Sequence, residues 1–181
     1  MTPPEKTLAA PLIVTERLEL RRLRTDDAAF VLELVNEPSW LRFIGDRNVH
    51  SLEDAAAYIA KGPLESYEKN GFGLYLVAVK ESGEKAGMCG LIRRDTLPHP
   101  DIGFAFLPRF WGRGFAHEAA AAVLDYGRAS LGLAGPILAI VNPDNERSIA
   151  LLEKLGMNFE GPFRLPGEEQ DIQLFALPES P

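Results

Sequence analysis

The chain has 181 residues, 46% of them hydrophobic and 25% charged, the balance of an ordinary soluble domain that needs no staples to bury a core. Those figures exclude the disordered, collagenous and membrane-spanning classes. Nineteen Lys and Arg against 26 Asp and Glu give a net charge of −7, which disfavours a general nucleic-acid binder and suits a cationic or neutral substrate, with room left for a local basic pocket.

Residues 1–11 read as a flexible tail, because Pro3, Pro4 and Pro11 do not fit regular structure. This stretch lacks the cationic start and unbroken apolar core of a signal peptide, so a cytoplasmic location and no membrane partner are expected. A strand is predicted over 17–24, where Leu18 and Leu20 alternate with Glu19 and Arg21. Thr25, Asp26 and Asp27 then offer caps to a short helix ending near Asn36, with Phe30, Val31, Leu34 and Val35 on its apolar face and Pro38 as its stop. Ser51 opens a second helix with Asp54 as capping partner, and Leu52, Ala55, Ala56, Ile59 and Ala60 recur at helical spacing. Residues 72–80 and 85–94, separated by Glu81-Ser82-Gly83-Glu84, predict a hairpin.

The second half alternates strand and helix. A strand over 101–107 places large residues on one face, with Gly103 and Ala105 on the other. A helix follows over 116–129, its buried stripe formed by Ala116, Ala119, Ala120, Val123 and Leu124. Next come a buried strand over 137–141 and an amphipathic helix over 145–155 closed by Gly156. Strands over 158–164 and 171–177 finish the chain. No repeat or long linker interrupts this series, so residues 12–181 read as one α+β domain. Cys89 is the sole cysteine, and His50, His99 and His117 fall at no ligand-like spacing; neither a disulfide nor a metal is expected.

Two segments carry the chemistry. Arg109-Phe110-Trp111-Gly112-Arg113-Gly114-Phe115-Ala116 lies between a strand and a helix, where backbone N–H groups can converge on an anion at the helix's positive end. Gly112 and Gly114 remove Cβ atoms where a phosphate must come close. No Gly-Lys-Ser/Thr follows, and His117 fills the third glycine position of a dinucleotide fingerprint, so both common phosphate motifs are excluded. An ordinary glycine turn with a packed aromatic pair is the plain alternative. The second segment, Asn142-Pro143-Asp144-Asn145-Glu146-Arg147-Ser148, taken alone reads as helix capping by Asn145 and Ser148. The pairing of the two says more. Gly112 and Asn145 are 33 residues apart, and two parallel strands joined by that crossover would set both helix starts on one sheet edge.

Arg109-x-x-Gly112-x-Gly114 resembles the Gln/Arg-x-x-Gly-x-Gly/Ala signature of the GNAT N-acetyltransferases. Asn145-x-x-Ser148 followed by Leu151-Leu152-Glu153-Lys154-Leu155-Gly156-Met157 resembles that family's next motif. Thr15-Glu16-Arg17-Leu18-Glu19-Leu20-Arg21 and Asp101-Ile102-Gly103-Phe104 resemble its ribosomal-protein N-terminal acetyltransferase branch, and the likeness spans about residues 12–177. It implies a mixed, mostly antiparallel sheet of about seven strands with about four flanking helices, in which the fourth and fifth strands are parallel and splay apart. It implies acetyl-CoA in that wedge as co-substrate, with Phe104 and Phe106 along the pantetheine and Asn145 holding it. The pyrophosphate would meet the segment Gly112, Arg113, Gly114, Phe115 and Ala116, with Arg109 as a nearby cation.

The implied reaction is direct transfer of acetyl to a primary amine, either a protein N-terminus or a small molecule, by a monomer or homodimer with no nucleic-acid partner. Many members use a Tyr to protonate the departing sulfur. Leu152 stands in its place here, and Ser148 is the implied substitute. The general base is open among His99, Asp101, Glu118 and Asp171. Trp40, Phe43, Ile44 and Gly45 fall where the family shapes its acceptor pocket, and Glu168-Glu169-Gln170-Asp171 is a candidate lure for a cationic acceptor. A non-catalytic acyl-CoA-binding module of the same fold and a purely structural domain are the alternatives.

Overall fold

The apolar runs of the chain assemble into one eight-stranded sheet in the computed structural model, which describes residues 10–179. Residues 1–9, most of the expected tail, lie outside the described residues. The strands are β1 (Ile13–Val14), β2 (Leu18–Arg22), β3 (Leu74–Val79), β4 (Lys85–Ile92), β5 (Asp101–Phe106), β6 (Ile137–Val141), β7 (Asn158–Phe163) and β8 (Ile172–Leu177). They lie in the order β1-β2-β3-β4-β5-β6-β8-β7. Neighbours are antiparallel except β5 and β6, the expected parallel pair. The strand beyond the expected seven is β1, whose two residues pair with Leu20 and Glu19 and are too few to show any periodicity.

The helices are α1 (Ala28–Val35), α2 (Pro38–Phe43), α3 (Leu52–Ile59), α4 (Glu65–Asn70), α5 (Phe115–Ala129) and α6 (Glu146–Lys154). Pro38 reads in sequence as a stop, yet it opens α2. At the first helical position its missing N–H removes no bond and its fixed φ is already helical. Ser51 caps α3 as expected, its Oγ accepting from the Asp54 amide at 3.0 Å, while the Asp54 carboxylate accepts from the His50 amide at 3.0 Å. Ala55 and Ile59 are buried, but Leu52 faces outward. From α3 the chain passes into α4 through a π-turn, Ala60–Leu64, whose wider hydrogen-bond spacing accommodates Pro63. The result is one bulged helix over 52–70.

The core lies between the sheet and α5, where Ala119, Ala120 and Val123 meet the faces of β4 and β5. Cys89 is fully buried there, and burial pushes its thiol pKa up, which leaves it an inert core residue. Among the described residues no helix is long and apolar enough to cross a membrane.

Two polar clusters pin the first strands. Asp27 is buried and accepts from both terminal nitrogens of Arg21 at 2.9 Å, from Lys85 Nζ at 2.7 Å and from the Arg24 amide at 2.9 Å. Burial alone would raise its pKa, but these donors outweigh it and hold the carboxyl at about 2. Glu118 on α5 accepts from Thr15 Oγ1 at 2.6 Å, from the Arg17 amide at 2.8 Å and from Arg17 Nε at 2.7 Å. Arg17 also donates to the Arg113 carbonyl at 2.8 Å and lies over the Phe115 ring at 4.7 Å. The β1–β2 turn is thereby fastened to the start of α5.

Each cluster gives an expected outcome. Asp27→Ala removes a buried charge partner and is expected to lower stability at pH 7 by about 3 kcal/mol in urea unfolding. Because the folded pKa lies below the unfolded value, Asp27 contributes fully above about pH 4, less as pH falls, and nothing below about pH 2. The variant should therefore lose the acid-limb decline across that window, and an unaltered limb would contradict the assignment. Glu118→Gln weakens three charge-assisted bonds at once, so a loss of about 1–2 kcal/mol is expected, with faster amide exchange at Arg17. A variant of normal stability that altered only the pH profile of turnover would return Glu118 to the list of general bases.

Candidate active site

β5 and β6 share a single register pair, Asp101 with Leu138, beside which the Leu138 amide donates to the Pro100 carbonyl at 2.9 Å. Past that point the strands part. On its other side β5 stays zipped to β4, and the Leu107 amide donating to the Ala86 carbonyl at 2.9 Å sets the alternation. In an antiparallel ladder every second residue turns its backbone groups away from the partner, here Ile102, Phe104 and Phe106. Trp111 Nε1 takes the Phe106 carbonyl at 2.8 Å. The one parallel bridge is completed by the Ile102 N–H donating to the Leu138 carbonyl, so Ile102 keeps its carbonyl, Phe104 both its N–H and its carbonyl, and Phe106 its N–H for the open side.

A cleft of about 750 Å³ fills this V. Residues 102–105 form one wall and residues 139–142 the other. Asn145, Ser148 and Leu152 of α6 and its cap close one side, so the structure gathers Phe104, Asn145 and Ser148 around one space. Asn145 Oδ1 accepts from the Ser148 amide at 3.2 Å, which makes Asn145 the cap of α6 and leaves its Nδ2 free to donate. The Ser148 hydroxyl, half-buried, enters no hydrogen bond among the described residues. Leu152, buried, offers an apolar surface beside it. Trp40, Phe43, Ile44 and Gly45 also line the cleft, along with Glu168 and Gln170.

The glycine turn lies beyond the end of β5, outside the lining of the cleft. Gly112 at φ +73° and Gly114 at φ +79° are left-handed, a conformation that requires glycine on its own account. Apart from its own chain neighbours, no described residue comes within 4 Å of a Cβ built on Gly112, so the space above it is open. Arg17 holds the Arg113 carbonyl, and across the trans peptide the Gly114 N–H points the opposite way. The side chains of Phe106 and Phe115 sit in the core and Ala116 packs against it, so these positions offer backbone to a ligand. Arg109 pairs with Glu33 at 2.6 Å, and Arg113 lies over the Phe110 ring at 5.7 Å.

Of the four base candidates, Asp101 alone lines the cleft. It is buried at the root of the V, with Arg94 Nε at 2.9 and 3.1 Å from its two oxygens. Burial pushes its pKa up, and the Arg94 charge partly offsets that. Glu118 is occupied by Thr15 and Arg17, Asp171 pairs with Arg164 at 2.7 Å on an exposed loop, and His99 packs near Gly135.

Several residues at the site escape a reading of spacing. Arg147 lies over the Trp111 ring at 4.9 Å and ties the first turn of α6 to the glycine turn, a contact across 36 residues that leaves no periodic trace. Tyr58, Arg47 and Arg94 reach the cleft from three separate segments.

Comparison with known proteins agrees with this geometry. The acetyltransferase (GNAT) domain matches residues 17–158. An uncharacterized N-acetyltransferase of Bacillus subtilis (strain 168), YoaA, is 33% identical over 156 residues, covering 85% of this chain and 86% of its own. An uncharacterized N-acetyltransferase of Bacillus licheniformis, p20, is 32% identical over 173 residues, covering 91% and 94%. Among solved structures, a ribosomal L7/L12 α-N-protein acetyltransferase in complex with coenzyme A shares the fold with a TM-score of 0.79 at 20% identity, over 93% of this chain and 98% of that one. With the domain matched across most of its length and two N-acetyltransferases above 30% identity, the chain belongs to the GNAT acetyltransferase family.

Proposed function

We propose that this acetyltransferase takes acetyl-CoA into the V between β5 and β6 and passes the acetyl group directly to a primary amine, with Ser148 assisting departure of the sulfur. The observation that carries this reading is the unpaired main-chain edge of β5, the Ile102 carbonyl with the N–H and carbonyl of Phe104, sharing one cleft with a Ser148 hydroxyl that has no partner among the described residues. Buried backbone groups need partners, and the amides of a pantetheine arm are of the right kind to complete the edge of β5 as a further strand would. The presence of coenzyme A in the solved L7/L12 acetyltransferase supports the choice.

In this reading each group has one task. The free Nδ2 of Asn145 donates to the pantetheine. The N–H groups of Gly114, Phe115 and Ala116 meet the pyrophosphate at the positive end of α5, where the open space above Gly112 admits it. A β5 amide facing the V stabilises the charge that develops on the thioester oxygen. Acetyl-CoA supplies the activated acetyl group. As the amine nitrogen bonds to the carbonyl carbon, the carbon–sulfur bond breaks and the amine gives up one proton to water. Ser148, a weak acid, hydrogen-bonds the leaving thiolate and relays one proton from water to it, so the net movement is one proton from nitrogen to sulfur.

The acceptor must arrive neutral. A peptide α-amine has a pKa of about 8 and a lysine side chain about 10.4, so the former is roughly a hundredfold more deprotonated at pH 7. An α-amine or a similarly acidic amine therefore needs little help, and a protein N-terminus or a small-molecule amine both qualify. Asp101 is the carboxylate placed to accept a proton should one be needed.

Thiol release from acetyl-CoA in the presence of an amine tests the reaction. Ser148→Ala is expected to lower kcat by about 10- to 100-fold while acetyl-CoA affinity, read by calorimetry, stays within a few-fold. An unchanged kcat would remove Ser148 from the reaction.

A further inference from the structure

The lining of the cleft is basic, against the acidic background of the chain. Among the described residues its cations are Arg42, Arg47, Lys61, Lys69, Arg93 and Arg94. The carboxylates facing them are Glu65, Asp95, Asp101 and Glu168, and Asp101 is already neutralised by Arg94. Arg47, Lys61 and Lys69 have no ion-pair partner among the described residues. A site built to receive a polyamine would show the reverse balance, since like charges brought together in a walled cleft repel strongly.

The donors also cluster by type. Tyr58 lies where the charges of Arg47 and Arg94 both act on its phenol, pulling against the larger upward push of burial on its pKa. Arg94 uses only Nε on Asp101, so its two terminal nitrogens remain to donate. Trp40 lines the same cleft, and its buried indole N–H has no acceptor among the described residues. An orphaned buried donor is a standing cost that an acceptor atom on a ligand would remove. Guanidinium, phenol and indole donors without matching acceptors call for an oxygen-rich anion, and a planar carboxylate matches the guanidinium fork.

We propose that the acceptor is a primary amine that also bears a carboxylate, held through Arg47 and Arg94 with Tyr58 and Trp40 as neutral donors, rather than a polyamine. The proposal rests on the acetyltransferase reading above. The carboxylate anchors the molecule, and its amine nitrogen faces the thioester, forming the amide as CoA leaves with the proton.

The test uses the full chain and begins with calorimetric titration of acetyl-CoA, because absence of binding would sink the acetyltransferase reading and this proposal with it. Thiol release is then followed for matched acceptors: L-alanine and L-alaninamide, L-methionine and L-methioninamide, C-terminally amidated Ala-Glu and Ala-Gln, and spermidine. Rates are corrected for the neutral fraction of each amine. The carboxylate member of at least one pair should exceed its amide by about tenfold or more in kcat/KM and exceed spermidine as well. Arg47 is exposed, so Arg47→Gln should fold, and it should narrow that acid-over-amide ratio by about tenfold. Amides or spermidine serving equally well, a ratio untouched by Arg47→Gln, or bound acetyl-CoA with no pair acetylated would each overturn the substrate class and leave the cofactor site standing.

Discussion

The separation of β5 from β6 after one paired residue is the constraint on which the rest of this structure depends. A parallel pair deep in a sheet would normally continue its ladder, because unpaired main-chain groups in the interior are costly. Here the ladder ends at Asp101 and Leu138, with buried Asp101 paired to half-buried Arg94 at the point of divergence. The two helices that follow these strands, α5 and α6, begin on the same edge, as the β–α–β crossover requires. Their starts are tied together by Arg147 over Trp111, and α5 is further fixed to the first strands by Glu118 and Arg17. A cleft with backbone hydrogen-bonding edges, a helix N-terminus and two polar α6 residues follows from that single departure from regular pairing.

Much of this was legible because it is local. Strands β2 to β8 and helices α1, α3, α5 and α6 announce themselves by periodicity and by caps such as Ser51 and Asn145, and their bounds shift by only a residue or two. The 33-residue spacing from Gly112 to Asn145 points to two helix openings on one edge, and the parallel β5–β6 pair with Arg147 over Trp111 puts them there. What stayed hidden has physical causes. Pro38 has opposite meanings inside a helix and at its first position, and the letters alone do not distinguish them. The π-turn around Pro63 breaks the 3.6-residue rhythm, so α4 drops out of the pattern. Leu52 keeps helical spacing yet faces solvent, since spacing gives a stripe but not what covers it.

The charge of the cleft was the least visible property. Net charge is a sum over the whole surface, whereas a ligand feels the few groups within a Debye length inside low-dielectric walls. The cations around this cleft come from α2, the α2–α3 connection, the π-turn, α4 and the residues just past β4, segments that folding alone brings together. An overall value of −7 suits a cationic or neutral substrate and leaves room for a local basic pocket, and the assembled site is such a pocket, with an excess of positive groups. The acidic run near Glu168 contributes one carboxylate to the lining, and Asp171 is paired elsewhere.

Amide hydrogen exchange with and without saturating acetyl-CoA tests the central claim most directly, because it reports which backbone donors the ligand engages. Protection should appear at Phe104 of β5, whose N–H faces the V unpaired, and at Gly114 to Ala116 of the glycine turn, with β1, β7 and the outer face of α1 unaffected. Tight binding that left the β5 and glycine-turn amides unchanged would contradict the account, because the cofactor would then lie somewhere other than the open V.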